Sequence, residues 1–245
     1  MEPVTPADTN PFRTRTTRDD AGYLRTGPLP ADDRPAARLN RWPPTARLYE
    51  PLWRRRSLGL LTLGAFGTDR ELDAMTAWLA TSPGVRILDV GCGAGFYLRA
   101  LHGARADLDL HGLDASPAFL REAARTLAQA NVPATLVHAD AARLPYRDDA
   151  FDGAACGGTP NEFRDPSAVF REIARVVRSG GHVWLMAQIA ARTWPARFGQ
   201  ALARTGGLWI PSTDEFVDRA EAAGLRAVRI EERGPVLLGT FVRSA

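Results

Sequence analysis

Three aspartates, each at or near the end of an apolar run, give this chain its most specific chemical signal. Asp89 closes the run Val85-Arg86-Ile87-Leu88 and is followed, after Val90, by Gly91, Gly93 and Gly95 at alternate positions. The run reads as a buried strand, and the glycines let the chain turn tightly and bring bare backbone against a ligand before a helix opens at Phe96. A carboxylate at that point can face a cationic ligand. Asp114 ends the next run, Leu108 to Asp114, where it can accept both hydroxyls of a ribose. Asp140 follows a third run, Thr135 to Ala139, where it can accept from an exocyclic adenine amine. A dinucleotide site wants Gly-x-Gly-x-x-Gly, with the pyrophosphate on the helix N-terminus. Here the third glycine's position is Phe96, so the pattern favours an adenosine ligand of another kind.

At this point the residues resemble the class I S-adenosylmethionine-dependent methyltransferases, in the branch that includes the ubiquinone and menaquinone C-methyltransferases. The resemblance covers Val85 to Met186 and rests on Ile87-Leu88-Asp89-Val90-Gly91-Cys92-Gly93-Ala94-Gly95, Gly112-Leu113-Asp114-Ala115-Ser116, Asp140-Ala141-Ala142-Arg143-Leu144-Pro145-Tyr146, Phe151-Asp152-Gly153 and Val176-Val177-Arg178-Ser179-Gly180-Gly181-His182-Val183. It implies S-adenosylmethionine as cofactor. Asp89, Gly91, Gly93 and Gly95 would hold the methionine end, Asp114 with Ala115 the ribose, and Asp140 with Ala141 the adenine, with Cys156 beside the cofactor at the end of the fourth strand. The implied fold is α/β, a Rossmann-like doubly wound seven-stranded sheet with an antiparallel last strand, preceded by an N-terminal helical extension.

Methyl transfer from a sulfonium is a direct displacement that asks mainly for alignment and exclusion of water. An oxygen nucleophile usually wants a base, whereas carbon or sulfur may need only positioning. The loop after the fourth strand, Cys156 to Phe163, should face the methyl group, and Glu162 is its candidate catalytic base. Asn161, Glu162 and Trp209 are the candidate substrate contacts. Many relatives carry histidine or aromatic residues near this loop, so Asn-Glu is a departure, and Glu162 reads equally as a solvated charge near a helix N-terminus. Trp42, Trp53, Trp194 and Trp209 fall where this family builds its substrate cover, which points to a small lipophilic acceptor such as a prenylated quinol, a polyketide or a lipid. The Asn-Pro-Pro-aromatic loop of amino-methylating DNA enzymes is absent, so no DNA substrate is expected. RNA or protein methylation, and a cofactor-binding scaffold without methyl transfer, stay open as alternatives.

The 245 residues are 45% hydrophobic and 24% charged, which suits one globular domain with an extension. All 31 basic residues are arginines, so P-loop and Schiff-base chemistries lose their amine. The net charge of +3 is spread without a long basic stripe, an arrangement that gives RNA little to hold. Cys92, Cys156 and the four histidines form no metal-ligand spacing, so no metal is expected. No signal pattern opens the chain and no apolar run approaches the roughly 18 to 20 residues that span a bilayer, so a cytoplasmic protein is expected. Arg54-Arg55-Arg56, flanked by Leu52, Trp53 and Leu58, could dock on an anionic membrane. The favoured reading is an ordinary amphipathic helix with solvated arginines.

The elements that must position these residues follow from caps and periodicity. Residues 1–45, rich in Pro, Arg, Asp and Thr, read as a mobile or loosely packed arm, 46–84 as a helical lid or brace, and 85–245 as the sheet core. Thr68 to Glu71 and Ser212 to Glu215 fit capping boxes, and Ser116-Pro117 and Asp165-Pro166 fit helix starts. Further strands are expected at Phe151 to Cys156, Gly181 to Met186, Leu225 to Glu231 and Val236 to Val242, with a helix from Trp194 to Ala203.

Overall fold

The computed structural model describes residues 10–62 and 64–245, so residues 1–9 of the arm lie outside the described residues. Two short strands come first, β1 (Thr17–Arg18) and β2 (Leu24–Arg25). A helical segment follows: α1 (Pro35–Asn40), α2 (Pro43–Leu48), a π-helical stretch over Tyr49–Arg54, α3 (Arg55–Leu61) and α4 (Thr68–Leu79). The chain then alternates through β3 (Arg86–Val90), α5 (Phe96–Ala104), β4 (Asp109–Asp114), α6 (Pro117–Gln129), β5 (Thr135–His138), β6 (Phe151–Gly157), α7 (Pro166–Val176) and β7 (Val177–Gln188). It closes with α8 (Trp194–Thr205), α9 (Thr213–Ala222), β8 (Leu225–Arg233) and β9 (Val236–Arg243).

All nine of these strands join one sheet in the order β1-β2-β5-β4-β3-β6-β7-β9-β8. From β5 across to β7 the pairing is parallel, and β9 inserts antiparallel between β7 and β8. The strands from β3 onward make the expected doubly wound sheet, and the count exceeds seven because the arm adds two. An open edge at β5 is a template for another strand. Leu24 pairs there with Val137 and Arg25 with His138, while the adjacent Tyr23 is fully buried. Parts of the arm, read from composition over residues 1–45 as mobile or loosely packed, thus lie against the core; Phe12 bridges Tyr146 and stacks on its ring at 4.9 Å.

Period-two alternation sends Leu88 and Val90 to one face of the sheet and Ile87 to the other. The first face packs on Phe170 of α7 and Phe216 of α9, and the second on Met75 of α4, Leu98 of α5 and Leu120 of α6. Ser116 and Asp165 cap their helices by accepting from Phe119 N and Ala168 N. Two expected capping boxes are altered. Gly67, not Thr68, is the N-cap of α4, because Glu71 is drawn inward to a buried partner. Ser212 accepts from Glu215 N, but the Glu215 carboxylate turns away to Trp209 Nε1 and Arg219. The strand expected from Gly181 starts at Val177, which pairs with Phe151 before a register shift.

Candidate functional site

The order β4-β3-β6 means that the chain leaves β3 toward one edge of the sheet and later returns on its other side at β6, and such a switch point opens a crevice at the strand C-termini. A cavity of about 720 Å³ occupies that place. Asp89, Gly91, Gly93, Asp114, Ala115, Asp140, Ala141 and Glu162 line it, so topology gathers residues up to 73 positions apart in sequence. Its cover comes from the arm, including Asp32, Arg34, Asn40 and Arg41, and from Tyr49 and Arg54 of the π-helical stretch.

The glycine turn is built by its backbone. Gly91, Gly93 and Gly95 all have positive φ, at 75°, 52° and 79°. Gly91 and Cys92 both donate to the Leu113 carbonyl, which locks the turn to β4. Asp114 completes the lock: one carboxylate oxygen accepts from Gly93 N at 2.9 Å and the other from Ser116 N at 2.8 Å. Asp140 likewise accepts from Ala142 N at 2.9 Å.

Asp89 differs, because its side chain accepts no hydrogen bond among the described residues and is 2% exposed. Burial, reinforced by the charge of Asp114, pushes its carboxyl up to about 8 against the pull of Arg54. Burial also pushes Asp114 up to about 6, although the amides of Ser116 and Gly93 oppose it. Glu162, at the end of the 3-10 turn Pro160–Glu162, is pushed up to about 7 by burial and by Asp114. Asn40 Nδ2 donates to its Oε2 at 2.5 Å and works in the opposite direction. The cavity therefore carries an excess of buried carboxyls over cations.

A second cavity of about 190 Å³ shares Tyr49, Arg54 and Glu162 with the first. Its remaining wall is largely apolar, with Leu58, Leu61, Met186, Leu208 and Val236. Arg54 is fixed in the partition by Glu71, to which its guanidinium donates twice, at 2.9 and 2.5 Å. Tyr97 Oη donates to the same carboxylate and accepts from Trp184 Nε1 at 3.3 Å.

Several residues expected in the site lie elsewhere. Gly95 caps α5, against Leu127, and does not line the cavity. Cys156 points into the core and is fully buried. Asn161 ties two backbones together, donating to the carbonyls of Gln188 and Trp209 and accepting from Gln188 N; it borders only the smaller cavity. Trp209 stacks on Phe216 at 5.7 Å and borders neither cavity. Trp42 and Trp194 are exposed, and the side chain of Trp53 lies outside the described residues. Arg54 is buried in an ion pair rather than solvated, Arg56 is exposed, and the Arg55 side chain lies outside the described residues. Asn40, Tyr49, Arg54 and Tyr97 are among the wall residues not evident from the sequence. The available signal was Glu71, an acid on the same helical face as Met75 and Leu79, which requires a buried partner.

Comparison with known proteins finds likenesses to methyltransferases. Residues 88–185 match the family described as a methyltransferase domain. The 2-methyl-6-phytyl-1,4-hydroquinone methyltransferase 1, chloroplastic, of Oryza sativa subsp. japonica is 28% identical over 193 residues, covering 76% of this chain and 56% of its own length. The demethylmenaquinone methyltransferase of Roseiflexus sp. (strain RS-1) is 36% identical over 126 residues, 51% of each chain. The chain thus spans about half the length of the curated relatives it matches. Among solved structures, the geranyl diphosphate C-methyltransferase of Streptomyces coelicolor A3(2), in complex with Mg2+, geranyl diphosphate and S-adenosyl-L-homocysteine, superposes with a TM-score of 0.61 at 14% identity, over 72% of this chain and 82% of that one. At that identity the likeness shows the fold.

Proposed function

We propose that this chain, which carries the class I S-adenosylmethionine-dependent methyltransferase domain, transfers a methyl group to a small lipophilic acceptor, and that the acceptor's reacting head enters the smaller cavity. The observation that carries this reading is the position of Glu162 in the wall common to both cavities, where one carboxyl borders a cofactor-sized space and an apolar space.

The residues fit the cofactor. Asp89 is a buried carboxyl without a hydrogen-bond partner among the described residues, on the wall of the larger cavity, an arrangement that favours a cationic ligand. When bound, S-adenosylmethionine supplies a methyl group on a positively charged sulfur, open to in-line displacement. Asp89 and the backbone at Gly91 and Gly93 would hold the methionine end, Asp114 and Ala115 the ribose, and Asp140 and Ala141 the adenine. Gly95 and Cys156 act behind this wall by shaping the turn and the core.

Glu162 would take a proton from an acceptor hydroxyl. A carboxyl raised to about 7 is ionised in good part at neutral pH and still basic enough to do so. Asn40 orients it, and Tyr49 and Arg54 complete the partition. Leu58, Leu61, Met186 and Val236 would keep water from the nucleophile. A space of about 190 Å³ lies below the usual volume of a drug-sized site and suits the head of a longer molecule. It gives a nucleic-acid strand no groove, which supports a small acceptor over DNA or RNA. The relatives named for phytyl-hydroquinone and demethylmenaquinone support an acceptor of that chemistry.

The test is transfer of labelled methyl from S-adenosylmethionine into prenylated hydroquinones. Label recovered on the quinol supports the reading, and cofactor binding without transfer to any quinol, phenol or lipid contradicts it.

A further inference from the structure

Helix α8 has its amphipathicity inverted. Trp194, Phe198 and Leu202 stand four residues apart and are 79%, 70% and 69% exposed. At about 100° per residue they fall within an arc of roughly 80°, a continuous apolar stripe. The only buried side chain described on the helix is polar: Gln200 donates to the Ile189 carbonyl at 2.7 Å and accepts from Ala191 N at 2.8 Å. Ala196 and Ala203, half-buried, complete the inward face. Among its described side chains, the helix is therefore seated by one amide and two methyl groups, while its large hydrophobes face outward.

The charges along the stripe are of one sign. No Asp or Glu occurs between Gln188 and Asp214, whereas Arg192, Arg197 and Arg204 do. Arg197 and Arg204 project beside the stripe, about 60° to 80° from Trp194 around the axis. Arg197 pairs with no acid among the described residues, and Arg204 spends one donor on the Ile210 carbonyl. An aromatic and aliphatic stripe edged by arginines, on a helix too short to span a bilayer, matches a helix that lies in the headgroup layer with its apolar side among acyl chains.

We infer that α8 docks this protein on an anionic lipid surface. Trp194, Phe198 and Leu202 enter the acyl boundary, and Arg197 and Arg204 meet the headgroup phosphates. The chain leaving α8 reaches Leu208, in the wall of the smaller cavity, and Arg34 anchors it by donating to the Gly207 carbonyl at 3.2 Å. Docking would thus bring the smaller cavity close to molecules dissolved in the lipid. The surface is distinct from Arg54-Arg55-Arg56, whose first member is buried.

The experiment is co-sedimentation of the full chain with vesicles of phosphatidylcholine alone and of phosphatidylcholine with phosphatidylglycerol. Wild type should bind the anionic vesicles at least tenfold more tightly. Trp194→Ser/Phe198→Ser/Leu202→Ser should lose binding to both kinds, and Arg197→Glu/Arg204→Glu only the preference for the anionic one. S-adenosylmethionine titration of the same variants reads folding and the cofactor site separately, because none of these residues borders the larger cavity. Unchanged affinity in the triple variant, no wild-type binding to anionic vesicles, or a wild-type dimer that the triple variant abolishes would each overturn the inference.

Discussion

Asn40 Nδ2 donates to Glu162 Oε2 at 2.5 Å, joining the last residue of α1 to the loop after β6. The bond lowers the Glu162 carboxyl against the burial that raises it. Glu162→Gln should reduce kcat by about 10²- to 10⁴-fold, the usual worth of a general base, while cofactor affinity changes far less. Asn40→Ala should move the acid limb of the kcat/KM profile to higher pH, because the base then titrates later. A pH profile of both variants checks this, and full activity in Glu162→Gln would remove the base assignment.

Gly91 is held to glycine by its neighbour as well as by its backbone. A Cβ there would stand 2.4 Å from Thr159 Cγ2, at a φ of +75°. Gly91→Ala should therefore cost stability, on the order of 1–3 kcal/mol from the strained conformation alone. Adding Thr159→Ala should restore only part of it, since the contacts with Cγ2 and Oγ1 go while Thr159 Cβ, 2.8 Å away, and the φ remain. Urea unfolding of the single and double variants measures the difference.

The raised carboxyls make stability and binding depend on pH with opposite signs. Asp89, Asp114 and Glu162 titrate at about 8, 6 and 7 in the folded chain, against ordinary values of 3.8, 3.8 and 4.5. The folded state holds protons that the unfolded chain has released, so these groups cost stability as pH rises from about 4 to about 8. His138, lowered by burial, opposes them near its ordinary value of 6.5. A cationic ligand favours the ionised forms, so S-adenosylmethionine should bind more tightly at pH 8 than at pH 6 and release protons. Titration calorimetry in two buffers of different ionisation enthalpy reads that release, and proton uptake would contradict it.

Glu71 and Arg54 form a buried pair, with side-chain exposures of 0% and 8%. Glu71→Ala leaves Arg54 buried without its partner and should cost about 3–5 kcal/mol, whereas Arg54→Met with Glu71→Leu should cost less. Denaturant midpoints of the two variants distinguish these outcomes.

The sheet was legible because its strands carry strong local signals. Val85 to Leu88 runs into Asp89 and Leu110 to Leu113 into Asp114, and Ser116 and Asp165 sit at the caps their types favour. Asp89, Asp114, Asp140 and Glu162 reach the cavity because each lies at or beyond the C-terminal end of a strand, at the same end of the sheet. The arm was not legible. Strands β1 and β2 have two residues each, too few to show a period; β1 pairs with β2, and β2 with the distant β5. Arg54 was misread for a similar reason, since its partner lies on another helix. Tryptophan type likewise gives no direction: Trp209, half-buried, stacks against the core and Trp194 faces outward. No helix among the described residues is long and apolar enough to cross a membrane.

The most direct test of the account is isothermal titration of the protein with S-adenosylmethionine and S-adenosylhomocysteine, with NAD as control and Asp114→Ala in parallel. Both sulfur compounds should bind with micromolar affinity and NAD not at all, and Asp114→Ala, which loses the ribose contact and the lock on Gly93, should bind at least tenfold more weakly. No binding of either sulfur compound, or wild-type affinity in Asp114→Ala, would contradict it.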